Sequence, residues 1–477
     1  MRLFELLLVA LTACTAVCLL MGWMPRGERW LSAGVLAAAI LHGILEGARW
    51  QMIPAYAAVI ILGYVVWKSA RKEFRFKKAT SGVALLLVSA SVLFSILLPM
   101  FHLPTPTGPY PVGTSILYFK DTSRIEDAAP YAGSARELMV QIWYPALASQ
   151  NPFARYREPR ETDLLSSYQS DILTNSRLNA PVAIQGAPFP VILFNPAWRG
   201  RRTNDTFLTE ELASQGYIVV SIDHTYNARL VAFPDGRVEH GNASIEIDDP
   251  ESSTPQRVRA IWNKELKKWV ADERFVIDSL ETMNTTAGSP WFGRMNTGNV
   301  GAIGHSFGGA AATAVCAEDH RVRASVNMDG WFFDAIRMRG PQQPLLIMVA
   351  STGEADVIPD SDGNVEAALD AKDISDVKTS LNSFGGYLLT VKGASHEDFT
   401  DQPLVSPLPM LSHRGTISAV RIQKIVRSYV TAFFDKSLRS EDTVLLRNDY
   451  RAYNEVSLNT WRTNQSGGLP ISGSGGQ

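Results

Sequence analysis

The chain has 477 residues, 45 Lys/Arg against 47 Asp/Glu, a formal net charge of −2 and 46% hydrophobic residues. The near-neutral average conceals a split: residues 1–105 hold ten Lys/Arg and four Asp/Glu, net +6, and the rest hold 35 and 43, net −8. A mildly acidic larger part argues against nucleic acid as a partner. Three cysteines, Cys14, Cys18 and Cys316, offer neither a disulfide framework nor a zinc-ligand spacing, so no cofactor or metal is expected.

Four apolar runs come first. Residues 6–23 are uncharged, 30–45 carry only His42 as an ionisable group, 53–67 are uncharged after an early Pro54, and 79–101 are uncharged throughout. A membrane span needs about 20 apolar residues, with ~17 as the usual lower limit. The first and fourth runs meet this alone, and the second and third read together as a helical hairpin. Leu11-Thr12-Ala13-Cys14 looks like a lipoprotein cleavage box, but the residues after Cys14 stay apolar, which disfavours a cleaved leader. Between the third and fourth runs, six of the eleven residues 68–78 are basic. Excess Lys/Arg marks cytoplasmic loops, so four spans put the N-terminus and everything after His102 on the non-cytoplasmic side of the cell membrane.

From Pro104 the chain changes character. Pro104, Pro106, Gly108, Pro109 and Pro111 mark a linker. Residues 138–144 read as a strand, 145–185 as surface loops with a helix, and 190–194 as a buried strand. A helix over 204–215 starts from an Asn204 or Asp205 cap, and 217–222 form another strand. A long amphipathic helix covers 256–283, and short apolar strands follow at 299–303, 324–328, 344–349 and 387–391. Strands apolar on both faces and separated by helical stretches predict a mostly parallel sheet with helices on both faces. A last helix covers 417–438, and the polar tail, Gly-rich from Ser466, reads as partly disordered. The expected organisation is a transmembrane region of about four helices over 1–103, an α/β catalytic domain over 104–440 and a tail over 441–477.

The chemistry centres on Gly304-His305-Ser306-Phe307-Gly308, which follows one predicted strand and opens a small-residue helix. This is the context of a nucleophile elbow, where Ser306 would project from a strained strand-to-helix turn. A serine hydroxyl needs a base, and the base needs an orienting acid. In sheets of this kind the order is Ser, then acid, then His. Asp329 ends the next strand and is the expected acid, ahead of Asp334, Asp356 and Asp360. His396 follows the last strand and is the expected base, ahead of His413, which precedes the final helix. His305 should pack below the site, and His224, which precedes the nucleophile, reads as structural support. The two backbone N–H groups of an oxyanion hole are expected at Phe307, after the nucleophile, and at Trp198, in the loop after an early strand.

These residues resemble the platelet-activating-factor acetylhydrolase family of α/β-hydrolases over roughly residues 106–438. The resemblance rests on Gly108-Pro109-Tyr110-Pro111-Val112-Gly113, Leu212-Ala213-Ser214-Gln215-Gly216-Tyr217 with Asp223-His224, the Ser306 elbow, Met328-Asp329-Gly330-Trp331, and Gly393-Ala394-Ser395-His396-Glu397-Asp398-Phe399. It implies an α/β-hydrolase fold and calcium-independent hydrolysis of short or oxidised acyl esters, often at sn-2 of phospholipids. By motif, Ser306, Asp329 and His396 match the family triad, and Trp198 and Phe307 match its oxyanion positions. The family tends to have His-Gly where this chain has Pro196-Ala197, so the oxyanion loop departs from the pattern. The expected partners are a small ester or lipid substrate and, through the N-terminal helices, the membrane. The alternatives are a broad carboxylesterase or lipase on the same triad, or a non-catalytic membrane-tethered binding module. For a transport path, only His42 and Glu46 offer polarity, near one helix end.

Overall fold

A computed structural model describes residues 1–23, 28–69, 76–127, 132–241, 255–332, 343–351, 377, 379–383, 385–447 and 450–461. The expected acids of second rank, Asp334, Asp356 and Asp360, lie outside these residues, as do most of the basic loop at 68–78 and the Gly-rich end of the tail. The chain forms two compact units. One comprises Met1–Leu103, Ala154–Thr174 and Gln402–His413; the other comprises Pro104–Phe153, Asn175–Asp401 and Arg414–Gln477.

The first unit contains four apolar helices, α1 (Leu3–Met21), α2 (Glu28–Leu45), α3 (Ile53–Ser69) and α4 (Lys77–Leu97). Three stretches are long and apolar enough to cross a membrane: Leu3–Met21, Trp50–Lys68 and Lys77–Leu97. The apolar helix Trp30–Leu45 is shorter. Small residues let these helices approach closely. Ala16, Ala58 and Ala84 are buried with Leu19, Leu62, Val65 and Val88. One end of the helices carries a polar knot. Arg49 donates to both oxygens of the buried Glu5, at 2.6 and 2.7 Å, and to Ser95 Oγ at 3.1 Å. The start of α1 also meets the end of α2, where the Phe4 N–H donates to Glu46 Oε1 at 2.9 Å. Each buried charge is thus paired, which is the condition for burying it at all.

Apart from an antiparallel pair, β7 (Leu230–Ala232) and β8 (Val238–His240), the second unit is built on a mixed sheet. Its centre is six parallel strands: β6 (Ile218–Asp223), β5 (Phe189–Asn195), β9 (Met295–His305), β10 (Val322–Met328), β11 (Leu345–Ser351) and β12 (Gly386–Lys392). β2 (Ala135–Pro145) joins β6 antiparallel, and β1 (Val112–Ile125) joins β2 antiparallel. Successive strand residues point to opposite faces, and the core follows this rule. Val191, Leu193, Val300 and Ala302 pack with α6 (Pro255–Thr285) and α7 (Phe307–Glu318) in one cluster. The interleaved Gly301 abuts Phe434 and Leu438 of α8 (Ala419–Arg439) on the other face. Helices therefore cover both faces of a mostly parallel sheet, as expected.

Four local readings change. Residues 145–185 hold no α-helix among the described residues; they hold 3-10 turns at Pro159–Glu161 and Ser167–Asp171 and the edge strands β3 (Phe153–Arg155) and β4 (Leu173–Leu178). The helix read over 204–215 is α5 (Thr206–Ser214), and its N-cap residue Asp205 makes no capping bond. Its first N–H groups, Thr206 and Phe207, donate instead to Asp401, at 2.7 and 3.2 Å. β1 was not anticipated, because its outer half is exposed and punctuated by Lys120, Asp121 and Arg124. The C-terminal residues add β13 (Val456–Trp461), antiparallel to β12.

Candidate active site

Three parallel strands end side by side, in the order β5, β9, β10. Each delivers a chemically relevant residue at its C-terminal end. β9 runs into Ser306, which sits at φ 56° and ψ −126°. A non-glycine residue rarely adopts such a conformation, and it persists only where the surroundings over-determine it. The surroundings here do so. The Ser306 N–H donates to Met328 O at 2.9 Å, and Gly309 and Ala310 donate back to Ser306 O. A Cβ on Gly304 would collide with the Gly308 backbone, and one on Gly308 would collide with the carbonyls of Asn195 and Pro196. The two glycines of the motif are therefore required by contact, at the start of α7, where unpaired N–H groups favour negative charge.

β10 delivers Asp329, also at positive φ, 56°. Its N–H donates to Met348 O at 2.8 Å, and its Oδ1 accepts from the Ala350 N–H at 2.9 Å. The buried Asn327 closes the turn, accepting from the Gly330 N–H at 2.8 Å. The remaining oxygen, Oδ2, accepts from His396 Nδ1 at 2.8 Å. His396 opens a single 3-10 turn after β12, Ser395–Asp398 forming a capping box. Asp398, buried beneath, accepts from the Ser395 and Gly415 N–H groups at 2.8 and 2.7 Å. Burial raises its carboxyl above the ordinary range despite those donors.

His305 lies under His396, fully buried, with ring centroids 4.4 Å apart. Its Nε2–H donates to the His396 carbonyl at 2.9 Å. Burial, and then the neighbouring His396, push its pKa well below the usual value, so it is a neutral support for the backbone of His396. Asp329 and His396 are thus brought together with a charge-assisted bond, and Ser306 is brought to the adjacent strand end. His413 belongs to a different segment, in the first unit.

The expected oxyanion residues also converge. Phe307 opens α7, and Trp198 lies edge-on to it, with ring centroids 5.0 Å apart at 77°. The N–H groups that follow Trp198 are engaged, Arg199 on Asn227 O at 3.1 Å and Gly200 on Ala197 O at 2.7 Å. Trp269 of α6 completes the cluster, parallel to Trp198 and edge-on to Phe307. His224, at the end of β6, stacks on Trp269 at 3.8 Å and bonds Asp272 through Nδ1 at 2.9 Å. Sequence reasoning did not single out Asp272, Glu273, Asn327 or Asp398. The acids of α6 looked like ordinary charges on an amphipathic helix; their signal was that they fall on its apolar side.

The family described as platelet-activating factor acetylhydrolase, isoform II, matches residues 98–455. The chain is similar to a probable 1-alkyl-2-acetylglycerophosphocholine esterase of Arthroderma benhamiae, 24% identical, over 79% of this chain and 98% of the relative. It is similar to the platelet-activating factor acetylhydrolase of Cavia porcellus, 24% identical, over 70% of this chain and 78% of the relative. Among solved structures it resembles a ferulic acid esterase from Streptomyces cinnamoneus, 31% identical, with a TM-score of 0.61, over 76% of this chain and 99% of that one.

Proposed function

We propose, for a chain that belongs to the platelet-activating factor acetylhydrolase, isoform II, family and is a carboxylic ester hydrolase, that catalysis runs through an acyl-enzyme on Ser306. Ser306 Oγ attacks the acyl carbonyl while His396 Nε2 takes its proton. Asp329, 2.8 Å from His396 Nδ1, holds the tautomer and stabilises the imidazolium. The N–H groups of Phe307 and Trp198 donate to the oxyanion of the tetrahedral intermediate, each worth ~3–4 kcal/mol of barrier. His396 then protonates the departing alcohol, and water repeats the sequence to release the acid. The observation that carries this reading is the Asp329–His396 bond beside a strained serine at a helix start.

The fold is read as an α/β-hydrolase. The substrate is read as a short acyl ester, at sn-2 of a phospholipid resembling platelet-activating factor, in line with the names of the relatives. Four membrane spans, with the hydrolase on the non-cytoplasmic side, suit such a substrate. In support, the first residues of α1 meet the last of α2, and Arg49, ahead of α3, meets Ser95 near the end of α4. That is the pattern of an up-and-down bundle. A second reading is an aromatic acyl ester. It is favoured by the ferulic acid esterase likeness and by Trp331, two residues past Asp329, packed on Trp262 with centroids 4.5 Å apart. The test is hydrolysis by the full-length protein in lipid vesicles, with 1-alkyl-2-acetyl, long-chain sn-2 and feruloyl esters compared. Preference for the acetyl lipid, lost in Ser306→Ala, supports the first reading. Preference for the feruloyl ester transfers the claim to the second, and activity unaffected by Ser306→Ala removes both.

A further inference from the structure

A chain of buried polar groups lies behind the loop that carries Trp198. Arg136 pairs with Asp272 through Nη2 at 2.7 Å and with Glu126 through Nη1 at 2.6 Å. Asp272 Oδ2 is 2.9 Å from His224 Nδ1. His224 Nε2 is 3.1 Å from the Asn195 side-chain amide, and that amide is 2.7 Å from Glu273 Oε1. Asn195, His224, Asp272 and Glu273 are all at most 1% exposed. None of them belongs to the proposed triad.

The loop 195–200 is held by this chain at both ends. Asn195 is its first residue, and its carbonyl packs against Gly308 of the elbow helix. At the other end, Arg199 donates to Asn227 O, and Asn227 and Ala228 both donate back to His224 O. His224 therefore grips the start of the loop through its ring and the end through its turn. The same ring stacks on Trp269, which touches both Trp198 and Phe307. Pro196 has no N–H; within the loop Gly200 donates to Ala197 O, and its two ends are anchored through Asn195 and Arg199.

The hydrogen-bond inventory gives this chain one direction. As drawn, Asn195 Nδ2 faces Glu273 and Oδ1 faces His224; a half-turn of the amide exchanges them without changing its shape. Asp272, paired with Arg136, is an acceptor, so His224 Nδ1 carries the hydrogen. In a neutral imidazole Nε2 then accepts, and only the amide nitrogen of Asn195 can donate to it. The amide oxygen is left to face Glu273, which must bring a proton. Glu273 Oε2 has no hydrogen-bond partner and is sealed from water, so an ionised carboxylate would hold charge where nothing meets it. Burial moves both titrating groups in the required directions. It lowers His224 in spite of Asp272, and it raises Glu273 well above its usual value, with the charge of Asp272 adding to the rise.

We propose that Asn195, His224 and Glu273 are positioning residues for the oxyanion hole, joined in a neutral hydrogen-bond chain that starts at the Asp272 carboxylate and ends on a protonated Glu273. The chain sets the path of residues 195–200 and so the N–H of Trp198. This rests on the reading of Trp198 as an oxyanion donor to an acyl-enzyme on Ser306.

The test is the pre-steady-state burst of the full-length protein in detergent with 4-nitrophenyl acetate, which separates the acylation rate from the fraction of active sites. Asn195→Leu and Glu273→Leu are expected to acylate about 100-fold more slowly, with KM unchanged and a full burst amplitude, because an oxyanion donor acts only in the transition state. Glu273→Gln, which still donates, is expected to return to within about threefold of the wild-type rate. It should also lack the infrared carbonyl band of a protonated carboxyl that the wild type shows at neutral pH. Leucine variants that acylate at the wild-type rate would overturn the proposal. If they do not fold, Glu273→Gln decides alone: a tenfold slower rate, or a wild type without that band, overturns it. A burst that persists in Ser306→Ala would instead refute the acyl-enzyme reading beneath it, and is told apart because it appears without any change at residues 195, 224 or 273.

Discussion

Asp329 is shared between two partners: its Oδ2 accepts from His396 Nδ1 at 2.8 Å and its Oδ1 from the Ala350 N–H at 2.9 Å. The backbone bond fixes the carboxylate, so the His396 ring inherits a defined orientation. Asp329→Asn keeps the shape and loses the acceptor facing Nδ1. It should lower kcat by about 10⁴-fold, with KM and thermal midpoint nearly unchanged, because the imidazole is left in the wrong tautomer. A variant within tenfold of wild type would show that another acid serves His396.

Gly308 meets the carbonyls of Asn195 and Pro196 where a Cβ would stand. Both are backbone atoms and cannot turn aside. Gly308→Ala should therefore destabilise by about 1–3 kcal/mol and displace the oxyanion loop. Calorimetry should show the lower thermal midpoint, and the residual folded enzyme should acylate more slowly.

Asp401 caps α5 from 195 residues away in sequence, accepting from Thr206 and Phe207. Asp401→Ala strands buried N–H groups, which should cost ~1–3 kcal/mol. Asp401 also lies just past the 3-10 turn His396–Phe399. We expect kcat to fall with stability in this variant, whereas Asp401→Asn, which keeps one acceptor, should lose less of both.

Glu273 gives a signature in the pH dependence of stability. Its folded pKa is raised above the unfolded one, so the folded state holds the extra proton. Its contribution is complete below the unfolded value and is lost as pH rises towards the folded value, by about 1.4 kcal/mol per pH unit. Glu273→Gln carries no such proton. Thermal midpoints of the wild type should fall more steeply with pH above about 4.5 than those of the variant; parallel curves would refute a protonated Glu273.

Legibility in the sequence followed burial. Strands β5, β9 and β10 are apolar on both faces and end in turn residues, so their ends could be placed from hydrophobic runs, and the Gly304–Gly308 motif with the Ser–acid–His order then picked out Ser306 and Asp329. Chain order then pointed to His396, and the structure brings its ring to Asp329. The supports were illegible, because each is a long-range polar contact. The cap of α5 lies at Asp401, not at the adjacent Asp205. Asp272 and Glu273 of α6 are met in burial by Arg136 on β2, His224 just past β6 and Asn195 at the end of β5. β1 escaped notice because its outer half carries Lys120, Asp121 and Arg124, and β13 because it is a half-buried strand set in a polar tail.

The most direct measurement is acid-quench trapping of the acyl-enzyme. The full-length protein, mixed briefly with a 1-alkyl-2-acetyl phospholipid and quenched, should carry one acetyl group on the peptide containing Ser306. Ser306→Ala should carry none and release no acetate. Acetyl found on another residue, or acetate released at the wild-type rate by Ser306→Ala, would contradict the account.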